Sequence, residues 1–163
     1  MDAASIETLF HEKLMLYREL VETLKEEKER IAHADVDALW RVSEKKQAIA
    51  GHIEDVRGRI LDALTGMGID HGMNGLNYQA SRVMSLLPPY QKKQLAGVHF
   101  SLMALKEEIN SISRDNKHYI ESYLSMLDDL VAILTGSGHS PSTYSSHRKA
   151  VTASNPRFLH REV

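Results

Sequence analysis

From Leu95 to Ile133 one apolar stripe runs through the chain: Leu95, Val98, Leu102, Leu105, Ile109, Ile112, Asn116, Tyr119, Tyr123, Met126, Leu130 and Ile133. The steps alternate between three and four residues, and only Asn116 is polar. Such spacing is the seam of one continuous α-helix, about 58 Å long at ~1.5 Å of rise per residue. A helix of this length cannot bury its stripe against itself. It needs partner helices, so an elongated helical scaffold is expected in place of a compact catalytic vessel.

Two further seams supply those partners. Residues 4–33 carry Phe10, Leu14, Tyr17, Val21, Leu24, Lys28 and Ile31 on one face, with the exposed faces filled by Lys25-Glu26-Glu27-Lys28-Glu29-Arg30. Opposite charges four apart support such a solvated helix. A second helix follows to about Thr65, with Leu39, Val42, Lys46, Ile49, Ile53, Val56, Ile60 and Leu64. The break between them, His33-Ala34-Asp35-Val36-Asp37, is short enough to imply an antiparallel hairpin. Asp35 is placed to cap the second helix, since its carboxylate can accept orphan amides of the first turn. Trp40 is expected to pack against Ile31 and close the turn.

Gly66 and Gly68 end the second helix, and the glycines at 66, 68, 72 and 75 predict a loop. Leu76 to Leu87 suits one short helix carrying Leu76, Ala80, Val83 and Leu87. Pro88-Pro89 stops it, and Pro89 fits the first turn of the long final helix. That helix should end at Thr135-Gly136. Beyond it the chain is Ser, Gly, Pro and charge without periodicity, too poor in apolar surface to offset chain entropy. The expected organisation is a helical domain over 1–135 and a disordered, basic, Ser/Gly/Pro-rich tail over 136–163. The fold class is all-α: an elongated antiparallel hairpin or bundle, a short third helix and a long return helix.

Composition narrows the chemistry. An apolar share of 42% with only 6% aromatics favours helix-on-helix packing by Leu, Ile, Val and Met. A net charge of −2 gives no electrostatic case for nucleic acid. The imbalance is local: the last 28 residues hold Arg148, Lys149, Arg157 and Arg161 against Glu162. The chain has no cysteine, so disulfides, thiolate metal sites and cysteine nucleophiles are excluded. The N-terminus lacks the basic start and apolar run of a signal peptide, and no apolar run approaches a membrane span. A cytoplasmic protein without membrane insertion is the expectation.

Candidate active-site patterns are weak. None of the nine histidines sits in a Glu-x-x-His or His-Glu-x-x-His spacing. Glu107-Glu108 and Asp128-Asp129 are neighbours about 100° apart on a helix, so they do not converge on one reacting atom. The glycines at 66–75 do not follow a strand and include no Gly-Lys-Ser/Thr. No catalytic residue, metal ligand or cofactor is nominated, and no enzyme activity is expected. Asn116 and Lys46 interrupt their seams in a way that fits register specification or snorkelling.

The last turns of the long helix are unusual. From Leu95 to Ile112 the seam occupies an arc of ~100°. From Ile120 to Leu134 the apolar set widens to ~180°, comprising Ile120, Tyr123, Leu124, Met126, Leu127, Leu130, Val131, Ile133 and Leu134. One packed seam does not need so much apolar surface. Either this end packs on both other helices at once, or the face, with Tyr119 at its head, receives an amphipathic helix of another protein. A face that self-associates as a structural coiled coil is the alternative from a different class.

Two stretches resemble a known family. Leu39, Val42, Glu44, Lys45, Ile49, Ile53 and Arg57 resemble the second helix of FlgN-type flagellar export chaperones. Glu108, Ile109, Ile112, Asn116, Ile120, Leu124 and Leu127 resemble their C-terminal helix, followed as in the family by Gly136 and a tail tyrosine, Tyr144. Ser113 departs from the family's frequent asparagine, and no glycine follows Tyr144. The resemblance covers about residues 6–145. It implies a cytoplasmic, non-enzymatic chaperone of the type III export system that holds hook–filament junction proteins by binding a terminal helical segment of the substrate. It further implies delivery to the export gate or its ATPase components, with Tyr144 as the gate contact; weak self-association between copies is a separate expectation.

Overall fold

The computed structural model describes residues 3–136, with side chains from Ile6 onward. The described residues contain four helices: α1 (Ala3–Ala32), α2 (Val36–Gly66), α3 (Ala80–Leu86) and α4 (Pro89–Leu134). The expected all-α class and order of elements are what the chain adopts. It divides into two units, residues 1–125 and 126–163, so α4 is taken in two parts.

Within the first unit α1 and α2 form the antiparallel hairpin. Glu12 pairs with Arg59 at 2.8 Å, Glu26 with Lys45 at 3.7 Å, and Glu27 with Lys46, so partner numbers fall as α1 numbers rise. α4 instead runs in the same direction as α1: Lys25 pairs with Glu108 at 3.2 Å, and Lys28 lies over the Tyr119 ring at 5.8 Å. The core gathers at the end of the hairpin away from its turn. Ile6, Phe10 and Leu14 of α1 meet Ile53, Val56, Ile60 and Leu64 of α2, and Val83, Leu87, Leu95 and Leu102 close over them.

Local chemistry sets the element ends. Asp35 Oδ1 accepts the Ala38 amide at 3.0 Å, the expected cap. At the end of α2 the Gly68 amide donates to the Thr65 carbonyl and the Ile69 amide to that of Leu64, with Gly68 at φ +74. This six-to-one closure needs a left-handed residue, which glycine adopts without a Cβ clash. The same closure ends α1, where Ala34 and Asp35 donate to Ile31 and Arg30. There the left-handed residue is Ala34, at φ +51, and an L side chain is strained in it.

Two expectations are corrected here. Trp40 does not close the turn; it is 69% exposed. Ala38 and Val42 point inward and fix the phase of α2. Trp40, two residues from each, lies about 200° round the helix from both. Leu76 is fully exposed and outside α3. Asn74 Oδ1 accepts the amides of Leu76 and Asn77 at 2.9 and 3.1 Å, a local turn that takes amide donors a helix would use. α3 therefore begins only at Ala80.

Ala34→Gly should remove the backbone strain at the α1–α2 turn. Set against glycine's greater freedom when unfolded, the net gain is about 0.5–1 kcal/mol, read as a higher urea midpoint with unchanged slope.

Candidate partner-binding surface

The surface begins at a buried polar junction. Glu27 is buried, and its two carboxylate oxygens serve different helices: Oε1 accepts from Lys46 Nζ of α2, and Oε2 from Asn116 Nδ2 of α4 at 2.9 Å. The second Asn116 N–H donates to the Leu24 carbonyl at 2.9 Å. One carboxylate thus ties α1, α2 and α4 in a single register. Lys46 and Asn116, the two polar breaks in their seams, are partners through Glu27. The predicted seam of α1 misses this: it takes Lys28 as its polar member, whereas Lys28 is exposed and Glu27, one residue earlier, turns inward.

A shallow cleft of about 330 Å³ opens beside this junction, lined by Leu24, Glu27, Lys46, Ser113, Asn116, Lys117, Ile120 and Glu121. Ile120, half-buried, is its apolar wall. Within the first unit Tyr119, Tyr123 and Leu124 are 51%, 42% and 54% exposed. The hairpin does not enclose them. α1 has only four residues left after Lys28, which pairs with Tyr119, so the neighbour that would cover the following turns runs out at Ala32.

The second unit begins at Met126, and its described part is the end of α4 and the turn after it. Met126, Leu127, Leu130, Val131, Ile133 and Leu134 range from 38% exposed (Leu127) to 85% (Leu134). The helix stops where expected, with the Gly136 amide donating to Ile133 and Gly136 at φ +65. Tyr144 and the rest of the predicted tail lie outside the described residues.

Residues that the periodicity did not flag stand at a second cleft of the first unit. Lys13 is 2% exposed, between Tyr17 and Tyr78, with its ammonium 4.1 Å from the Tyr78 ring centre. A signal was available, because Lys13 lies three residues after Phe10 and four before Tyr17, in phase with the core. Among the described residues no group of His, Asp or Glu is placed to hold a metal ion.

The family model of the FlgN protein matches residues 1–152, nearly the whole chain. The chain belongs to the FlgN family. That family is one of flagellar export chaperones, so the protein's general role is that of a helical chaperone in flagellum biogenesis that binds flagellar proteins. Neither a curated protein nor a solved structure matches the chain. No helix of this FlgN-family protein, among the described residues, is long and apolar enough to cross a membrane.

Removing the Glu27 carboxylate would strand the Asn116 amide and leave Lys46 without its partner. Glu27→Ala should cost about 2–3 kcal/mol in urea unfolding. Replacing all three members together by Met, Met and Leu should recover most of that loss. A triple variant as unstable as the single one would instead place the loss in packing.

Proposed function

We propose that this FlgN-family protein holds hook–filament junction proteins in the cytoplasm in an export-competent state, capturing a terminal amphipathic helix on the apolar face of α4. The capturing residues are Tyr119, Ile120, Tyr123, Leu124, Met126, Leu127, Leu130, Val131, Ile133 and Leu134. The observation that carries the proposal is the exposure of these side chains: all but Ile120 stand at 38% or more. Fully burying one exposed Leu or Ile is worth about 1.5–3 kcal/mol. A handful of such side chains is enough to offset the ~4–15 kcal/mol lost to rigid-body freedom on association. The tail after Gly136 then serves as a delivery element, with Tyr144 contacting the export gate or its ATPase components.

Leu127→Asp and Leu130→Asp should each weaken capture of a purified junction protein at least about tenfold, since each removes apolar burial and introduces a charge. Helicity by circular dichroism should stay near wild type; unfolding of either variant would place these side chains in an internal core. Light scattering of the purified chain tests the competing occupant, a second copy: a stable oligomer at low micromolar concentration would favour a self-associating structural protein.

Ending the chain at Gly136 separates capture from delivery. The shortened protein should bind its junction protein normally while export and motility fall. Unchanged motility would remove the tail from the mechanism.

A further inference from the structure

The second cleft, of about 360 Å³, lies in the first unit and is lined by none of the proposed capture residues. Its walls come from α1, α2, the segment before α3 with the first turn of α3, and α4. Lys13 reaches into it from α1, Arg57 from α2, Tyr78 from the loop and Lys106 from α4. Lys13 has no hydrogen-bond or carboxylate partner among the described residues; its ammonium meets only the rings of Tyr78 and Tyr17, at 4.1 and 5.6 Å. Arg57 bonds Glu54 through Nη1, yet its Nε is buried without an acceptor. The Tyr78 hydroxyl is likewise buried without an acceptor. Lys13, Arg57 and Tyr78 thus line one cleft, and each has donor capacity that no acceptor takes up. Three basic side chains line it with no carboxylate among the lining residues, and Glu54 reaches only Arg57 from beside it.

We propose that this cleft is a binding site for a small oxyanion, a carboxylate or phosphate group, held by Lys13, Arg57, Tyr78 and Lys106. The chemistry suits each donor. A guanidinium Nε and an ammonium form charge-assisted bonds to oxyanions. Burial pushes the Tyr78 phenol's pKa up, so it remains a proton donor throughout the working range. Packing alone does not require the charge of Lys13, because a methionine would fill a similar volume without taking an ammonium out of water.

Proton uptake accompanies binding. Burial, reinforced by Arg57 and Lys106 and opposed by Glu54, brings the Lys13 pKa down to about 7. Tyr17 and Tyr78 complete the groups that face it. Without an anion, Lys13 loses its charge as pH rises through about 7, whereas in the unfolded chain it keeps the charge to about 10.5. The unfolded state binds more protons across that window, so this group's contribution to stability grows with pH there. A bound anion favours the charged ammonium and reverses the shift. Affinity should therefore be highest below pH 7 and fall above it.

The test is thermal unfolding of the full chain with added acetate or inorganic phosphate, at constant ionic strength set by chloride. A rise in melting temperature with either anion at pH 6 is expected. With acetate, whose charge is constant over the range, the rise should shrink by pH 9. The larger response identifies a carboxylate or a phosphate as the natural group. Lys13→Met should fold, melt above wild type at pH 6, and show no anion-dependent rise. Tyr78→Phe should weaken anion binding by calorimetry about three- to tenfold. Absence of any rise in wild type, or an equal rise in Lys13→Met, would overturn the proposal.

Discussion

One carboxylate fixes the geometry of the first unit. The apolar seams of α1, α2 and α4 repeat every three or four residues, so a slide of one turn would bury nearly as much surface. Glu27 removes that freedom, because only one register brings both Lys46 and Asn116 to its two oxygens. A buried polar set of this kind adds little net stability over an apolar core, and its attested use is to specify alignment. Within the first unit, the residues of α4 that follow Asn116 are placed by that alignment. Tyr119 is one turn beyond Asn116, and the apolar face starts there.

The boundary between core and face follows from chain lengths. α4 contributes four buried residues, Gln91, Leu95, Leu102 and Asn116, and none after Asn116. Its hydrophobicity does not fade at that point; its neighbours do. α1 ends at Ala32, a few residues past the Lys28–Tyr119 contact, and the hairpin turn follows at once. A fold that keeps an apolar helix face uncovered carries the solubility cost of exposed Leu, Ile and Met, which marks an interaction surface more often than an ornament.

Much of this was legible in the residues. Strong helical periodicity gave the three long helices to within a few residues, and the Asp35 cap, the Gly68 stop, the Pro89 start and the Gly136 end each follow from local backbone chemistry. The failures share a cause: phase and competition set by tertiary context. Trp40 is near enough to Ile31 in the sequence to suggest a contact, but Ala38 and Val42 set the inward face. Leu76 looked helical until the Asn74 side chain captured its amide. Lys28 and Glu27 differ by one residue, and only the positions of Lys46 and Asn116 decide which turns inward. Lys13 is in phase with the core, but a lysine at such a position is more often solvated than buried.

The way the helices are joined also orders their assembly. α1 and α2 are linked by a three-residue turn, so their pairing closes a short loop and needs little chain entropy. The Asn116 contacts with Leu24 and Glu27 span 92 and 89 residues, and such distant pairings are slow to form. On a growing chain both hairpin helices are synthesised before α4. α4 follows both of them, and the part of it that they bury is the part up to Asn116.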